Sequence, residues 1–309
     1  MRQTKQEATT MAGAKNHEYH ILPPSIWPLV GSMSSLAMAA GGIMWMREAN
    51  GGGWIFLAGL AGVLFTMYSW WADVVREANS GDHTPVVQLH LRYGMILFIA
   101  SEVMFFVGWF WSWFDFSLFP VPLEVADGAA TVVADAVAQW PPKGIEVIDP
   151  FSFPLLNTFI LLLSGTTVTW AHHALIHGQR GGAKRGAWGL IGVGENDGVL
   201  KGLWATILLG LLFSSIQAYE YAHAPFAFTG TNYAAAFYMS TGFHGFHVAI
   251  GTIFLIVCLV RAYRGDFTPR QHFGFEAAAW YWHFVDVVWL FLFVTVYVWG
   301  SWGAPIHGG

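Results

Sequence analysis

The sequence predicts an all-α integral membrane protein, a bundle of seven transmembrane helices. Hydrophobic residues make up 55% of the 309 positions and charged residues 11%, whereas a soluble domain carries about 25% charged residues. Seven apolar stretches are each near or above the roughly 20 residues that a helix needs to cross the hydrocarbon core. The basic residues lie almost entirely on one side of these stretches, as the positive-inside rule requires of membrane loops.

The seven stretches define the expected organisation of the chain. They run over Trp27–Met46, Trp54–Ala72, Leu91–Leu118, Phe153–Leu175, Val199–His223, Ala234–Val260 and Glu276–Trp299. The third is the longest, so we expect its helix to tilt or to project beyond the bilayer. We divide the chain into a cytoplasmic N-terminal segment (1–26), helices one and two (27–72), an inner loop (73–90), a five-helix bundle (91–300) and an outer C-terminal tail (301–309).

Helices one and two are predicted to be close antiparallel neighbours, because only a short glycine turn (51–53) separates them. Small residues recur every four positions at Gly31, Ser35 and Ala39 in the first helix and at Ala58 and Gly62 in the second. Small residues at this spacing let two membrane helices approach closely. We therefore expect these positions to form the contact between the two helices.

The loop charges predict the orientation of the chain. An odd number of spans puts the termini on opposite sides of the membrane, and only Arg47 and Lys143, of the 14 basic residues, fall on the side of the C-terminus. The N-terminus should therefore be cytoplasmic, or in the matrix, and the C-terminus outside. We expect no cleaved signal peptide, since no apolar run precedes Ile21.

One carboxyl group lies deep inside a predicted span. Glu102 is 11 residues into the third stretch, about 16 Å along a helix axis and so close to the midplane. An ionisable residue at this depth costs several kcal/mol and is a functional candidate by default. Apolar surroundings favour its uncharged form. The alternative is a structural role, in which the protonated acid hydrogen-bonds a neighbouring helix.

Histidines raise the question of a metal or haem site. His244 and His247 share a face of the sixth span, and His283 and Asp286 share a face of the seventh. Two histidines on one face can ligate a metal or a haem. The sequence has no CxxCH, HExxH or cysteine-containing metal motif, and its one cysteine is Cys258. We therefore interpret these four residues, and Glu220 at the outer end of the fifth span, as structural polar groups and predict no metal site.

Six strings of residues resemble subunit III of haem-copper cytochrome c oxidase, in its bacterial form. The longest reads HFGFEAAAWYWHFVDVVWL and the next LRYGMILFIASEVMFF. The six run over His272–Leu290, Leu91–Phe106, His20–Pro28, Trp170–Ala174, Gln217–Tyr221 and Phe243–His247. The resemblance implies seven helices in two groups, two plus five, around a cleft that holds phospholipid. It also implies an accessory subunit that stabilises the catalytic core, supports proton uptake and carries no redox centre.

The resemblance also implies partners and site residues. Haems and copper would lie in partner subunits, with subunit I as the main contact, subunit II in the same complex and cytochrome c bound through that complex. Membership of a respiratory supercomplex is left open, a nucleic-acid partner is not expected, and the membrane would be a bacterial inner membrane. Glu102 matches a buried carboxyl that supports proton transfer and reacts with apolar carbodiimides. Positions that lie near lipid headgroups match Trp71, Arg76, His83, Arg261 and Arg264.

Some features depart from the family pattern, and other functions remain open. The loops at 121–143 and 178–198 are longer than in many members, and Asp266 stands where some members have a histidine near a headgroup. One alternative is subunit III of a related quinol oxidase. Others are a stand-alone seven-span proton transporter that uses Glu102 and a haem-binding quinol enzyme built on His244 and His247.

Overall fold

A computed structural model describes residues 18–21, 24–126, 129–133, 137–181 and 197–307. Within these residues, seven helices are long and apolar enough to cross a membrane, which confirms the predicted fold class. The first three are α1 (Trp27–Met46), α2 (Gly52–Ser80) and α3 (Pro85–Leu118). The remaining four are α4 (Phe153–Ile176), α5 (Gly198–Ala222), α6 (Asn232–Arg264) and α7 (Phe273–Leu292). The predicted N-terminal segment before residue 18 and most of the 178–198 loop lie outside the described residues.

Several helices extend past the ends of the apolar stretches. The segment 73–90 was expected to be an inner loop, but α2 continues to Ser80 and α3 begins at Pro85. Gly81, with φ at 88°, ends α2 in a left-handed conformation, and a proline is well suited to the first position of a helix. Hydropathy marks the part of a helix that lies in lipid, whereas backbone hydrogen bonding continues into the polar turns beyond it.

Two features of the chain were not predicted. The loop after α3 contains an antiparallel hairpin of β1 (Leu123–Ala126) and β2 (Ala129–Val132). The helix after Leu292 widens into a π-helical segment, Phe293–Val298, and then tightens into a short 3₁₀ turn, Trp299–Ser301. Hydropathy reveals neither feature, since the hairpin depends on local pairing and an apolar span does not show which type of helical turn it forms.

The described chain divides into two compact units, with the boundary between Leu91 and Arg92. In the first unit, α1 and α2 pack through glycines. A Cβ atom at Gly59 would lie 2.3 Å from the backbone nitrogen of Met38, and one at Gly41 would lie 2.3 Å from that of Phe56. The expected motif was only partly right. Gly31 and Gly62 are at the contact, but the other three expected positions are exposed, namely Ser35, Ala39 and Ala58.

The core of the second unit is centred on Trp282 of α7, whose side chain is fully buried. Its indole fits beside two glycines, since a Cβ atom at Gly210 of α5 or at Gly251 of α6 would lie within 3 Å of the ring. The indole Nε1 donates a hydrogen bond of 2.8 Å to Ser164 Oγ on α4. One tryptophan thus contacts three neighbouring helices and fixes their relative positions.

Candidate functional site

Glu102 lies close to the middle of α3 and contacts a histidine from another helix. Its Oε2 is 2.9 Å from Nε2 of His247, which lies near the middle of α6. The carboxyl side chain is 24% exposed and the imidazole 8% exposed. The sequence singled out both residues but did not pair them, because they are separated by 145 positions.

Aromatic side chains surround the imidazole of His247. Phe106 lies closest, with ring centroids 4.9 Å apart, and Tyr281 of α7 stacks at 6.4 Å. Phe105 and Phe284 also contact the ring. Polar interactions are stronger in such an apolar environment, and an unpaired polar atom there is correspondingly costly. The carboxyl–imidazole contact therefore gives each polar group a hydrogen-bond partner among side chains that are mainly aromatic.

The hydrogen bonds of His247 define how many protons the pair holds. Its Nδ1 lies 2.6 Å from the carbonyl oxygen of Phe243, and a carbonyl can only accept, so Nδ1 carries a hydrogen. A neutral imidazole then has a bare Nε2, which requires Glu102 to donate; a charged imidazole requires Glu102 to be a carboxylate. In either case one proton lies between the two groups and the pair has no net charge. This removes the penalty for a charge at midplane.

The other intramembrane histidines have separate partners. His244 Nε2 lies 3.1 Å from the carbonyl oxygen of Val285, although His244 shares a helix face with His247. His283 Nε2 lies 2.9 Å from Thr169 Oγ1, and its Nδ1 lies 3.5 Å from Asp286 Oδ2. Among the described residues, no group of three or more His, Cys, Asp or Glu side chains is arranged to hold a metal.

Glu220 lies near the end of α5 and is 5% exposed. Its Oε1 accepts hydrogen bonds from Tyr297 Oη at 2.6 Å and from Gln217 Nε2 at 3.0 Å. Tyr297 belongs to the π-helical segment that follows α7. The polar contact therefore joins α5 to the end of the last span.

The five residues matched to lipid headgroups fall in both compact units. In the first unit, Trp71 is exposed, and Arg76 is exposed and paired with Asp73; His83 lies between α2 and α3. In the second unit, Arg264 is exposed at the end of α6. Arg261 lies over the ring of Phe267 and 3.6 Å from Asp266.

The sequence matches one family of known proteins. The family profile described as cytochrome c oxidase subunit III matches residues 17–301. The chain belongs to this family. Cytochrome c oxidase subunit 3 of Marchantia polymorpha is 51% identical over 292 residues, which cover 94% of this chain and 100% of the relative.

Further relatives give the same result. The Arabidopsis thaliana subunit is 50% identical, again over 94% of this chain and 100% of the relative. The Syncerus caffer subunit is 47% identical over 93% of this chain and 99% of the relative. The resemblance of the six strings to the subunit III family is confirmed. As a member of the subunit III family, the chain is a multi-pass membrane protein and one subunit of an oxidase complex.

One ion pair of this subunit III chain was missed by the sequence analysis. Arg92 Nε lies 3.1 Å and 3.0 Å from the two carboxylate oxygens of Glu276, and its Nη2 lies 3.0 Å from Oε2. The pair joins α3 to α7 in a bidentate geometry, which is the stronger form of such a contact. A usable signal was present, since Arg92 and Glu276 have opposite charge and lie at the ends of the third and seventh spans that are predicted to face the same side of the membrane.

Proposed function

We propose that this subunit III stabilises the catalytic subunit of its oxidase and supports proton uptake, without itself carrying out redox chemistry. The contact between Glu102 and His247 carries the proposal. It joins α3 to α6 through a neutral pair, so the carboxyl contributes to packing at midplane. The same pair holds one mobile proton, which is compatible with a supporting role in proton movement.

Haems and copper are proposed to reside in subunits I and II, and none in this chain. The support is the use of the histidine nitrogens. His247 has one nitrogen on a carbonyl and the other on Glu102, and His244 Nε2 is directed at a carbonyl. A metal ligand needs a nitrogen with a free lone pair. Both nitrogens of His247 are engaged, and at His244 only the buried Nδ1 keeps its lone pair, so the two histidines are not arranged to ligate one metal together.

Phospholipid is proposed to be bound by Trp71, Arg76, His83, Arg261 and Arg264. Guanidinium groups pair well with phosphate, and tryptophan is typical of the membrane interface. Arg76 and Arg264 are exposed at helix ends. The side chain of Arg261 is 16% exposed, against 77% for Arg76; we therefore assign Arg261 a smaller share of the binding than Arg76.

The membrane is proposed to be a bacterial inner membrane, with the N-terminus cytoplasmic and the C-terminus periplasmic. The distribution of 14 basic residues, with only Arg47 and Lys143 on the outer side, supports this orientation.

Subunit I is proposed as the main contact and subunit II as a further member of the complex. Cytochrome c would then reach the oxidase through those subunits.

Removal and re-addition of this chain test the proposed function. The oxidase is prepared with and without it, and oxygen consumption is followed from the first turnovers onward. We expect the depleted enzyme to begin reducing oxygen and then to lose activity as turnover continues, with proton uptake slowed and re-addition protecting fresh enzyme. An immediate and complete loss of oxygen reduction would instead make the subunit part of the obligatory chemistry. Unchanged behaviour would remove the supporting role.

A further inference from the structure

Four polar side chains meet at the end of the second unit where α5 ends. We call Asn157, Gln217, Glu220 and Tyr297 the Glu220 cluster; each is at most 5% exposed. They come from α4, α5 and the π-helical segment after α7. Besides the two bonds to Glu220 Oε1, Gln217 Nε2 donates to Tyr297 Oη at 3.0 Å, and Asn157 Nδ2 lies 3.4 Å from Gln217 Oε1.

The hydrogen bonding of the Glu220 cluster is incomplete. Both donors to the carboxyl reach Oε1, and Glu220 Oε2 is buried without a partner; Asn157 Oδ1 is buried without a partner as well. A buried polar atom left in this way costs about 1–3 kcal/mol. Native proteins normally place an ordered water at such a polar site. Asn157 Oδ1 therefore needs a donor, whereas Glu220 Oε2 needs a donor if it is ionised and an acceptor if it is protonated.

Among the described residues, the side-chain hydrogen bonds to Glu220 come from two uncharged groups, Tyr297 and Gln217. Three phenols also interact with it electrostatically, namely Tyr221 on its own helix, Tyr238 on α6 and Tyr297. An unpaired carboxylate in a buried site is costly. A carboxylic acid protonated on Oε2 would donate to a water, and a water would donate to Asn157 Oδ1. This arrangement satisfies both unpaired oxygens with one kind of molecule.

Two further observations indicate a site and not only a packing defect. Tyr297 belongs to the π-helical segment, and such segments occur frequently at functional sites. A cavity of about 360 Å³ lies among loop residues that include Phe226. Phe226 packs on Phe237, and Phe237 packs on Tyr297, each with centroids 5.2 Å apart. Few side chains therefore separate the cluster from the cavity.

We propose that the Glu220 cluster is a buried hydrated site that binds water and one exchangeable proton. When the proton leaves, the Oε2–H bond breaks and the water oxygen takes the proton, which leaves a carboxylate and a hydronium ion. Tyr297 and Gln217 already donate to Oε1 and stabilise that carboxylate. The site therefore accommodates both forms of Glu220 without a change of fold.

The intact oxidase provides the first test, by electron cryo-microscopy at a resolution that shows ordered water. We expect density within about 3.2 Å of Glu220 Oε2, unchanged when sodium replaces potassium in the buffer. An empty site, at a resolution that shows other internal waters, would overturn the proposal. Density that appears with only one of the two cations would overturn it too, because it would identify a metal ion.

Infrared difference spectra of the intact oxidase provide the second test. The spectrum of the unmodified enzyme minus that of Glu220→Gln should contain the C=O band of a protonated carboxyl, and the band should shift in D₂O. Thr158→Val is the matched control, since Thr158 is a buried neighbour of Asn157 that hydrogen-bonds Trp289 instead; its spectrum should keep the band. A difference spectrum without the band would overturn the proton assignment. If the Gln variant does not assemble, the density of the unmodified enzyme decides.

Discussion

The carboxyl of Glu102 on α3 lies 2.9 Å from the imidazole of His247 on α6, and the opposite imidazole nitrogen lies 2.6 Å from the carbonyl oxygen of Phe243. The backbone carbonyl thereby fixes one hydrogen on the ring and leaves one proton for the carboxyl–imidazole contact. The pair is therefore uncharged whichever group holds the proton. When the proton is on Glu102, the side chain is a carboxylic acid that can react with a carbodiimide.

Glu102→Gln should abolish carbodiimide labelling of this subunit and leave the oxidase assembled and active. A glutamine amide can donate to His247 Nε2 in place of the carboxylic acid, so the hydrogen bond is kept and only the exchangeable proton is lost. Mass spectrometry of labelled peptides measures the effect. Glu146→Gln is the control, since Glu146 lies in an exposed loop paired with His307, and labelling of Glu102 should persist in it. Persistent labelling in Glu102→Gln would identify Glu220 or Asp286 as the reactive carboxyl.

His247→Leu should destabilise the subunit more than Glu102→Gln does. The leucine leaves the Glu102 carboxyl without its partner in an apolar environment, at a cost of about 1–3 kcal/mol. The double variant Glu102→Leu with His247→Leu should recover part of that loss, because no polar atom is then left unpaired. Thermal unfolding of the purified oxidase, followed by release of this subunit, measures the three variants. Equal losses in the single and double variants would contradict the pairing.

Arg92 and Glu276 provide a second double-substitution test. Arg92→Met should lower the free energy of unfolding by about 3 kcal/mol, because it leaves a carboxylate that is only 14% exposed without its cation. Replacing both residues by methionine should cost less than this single change. Lys143→Met is the control, since its pair with Glu124 is exposed and should contribute at most about 1 kcal/mol. A double variant that is as unstable as the sum of its single variants would show that the two residues do not act together.

Gly59→Ala should weaken the contact between α1 and α2. The new methyl group would lie 2.3 Å from the backbone of Met38, and overpacking of this kind costs about 1–3 kcal/mol. Gly53→Ala on the same helix is the matched control, because the nearest atoms there are 3.9 Å from the added carbon. The yield of subunit recovered per oxidase and its unfolding temperature should fall only in the first variant. A tolerated Gly59→Ala would mean that the two helices are not held this closely.

Lipid and metal analyses test the remaining proposals on purified material. Arg76→Ala combined with Arg264→Ala should reduce the phospholipid that co-purifies with the oxidase, whereas Arg270→Ala, outside the proposed lipid set, should not. Lipid content that is equal in the unmodified oxidase, the double variant and Arg270→Ala would argue against the headgroup assignment.

The isolated subunit should contain iron and copper well below one atom per chain. A stoichiometric haem band in its optical spectrum would overturn the assignment of the redox centres to partner subunits.

Hydropathy and loop charge were sufficient to predict seven spans, because lipid imposes length and polarity on each helix independently of the others. The packing of α1 on α2 was predicted less well. A repeat of small residues marks a helix that can be approached closely, but the helix face used is set by the partner, and here Ser35 and Ala39 are exposed while Gly41 is buried. The contact between Glu102 and His247 could not be predicted from local sequence, because it depends on how α3 and α6 align. The ion pair between Arg92 and Glu276 could have been predicted, since the sequence shows that the two residues have opposite charge and lie at similar depths in the third and seventh spans.

The glycine contacts of α1 and α2 also bear on how the chain is made. The atoms that meet at Gly41 and Gly59 all belong to residues before position 60, and the first compact unit ends at Leu91. Membrane helices insert first and then associate, and N-terminal regions fold first during synthesis. The hairpin of α1 and α2 can therefore close in the bilayer while the ribosome is still translating the later spans, including the one that carries Trp282.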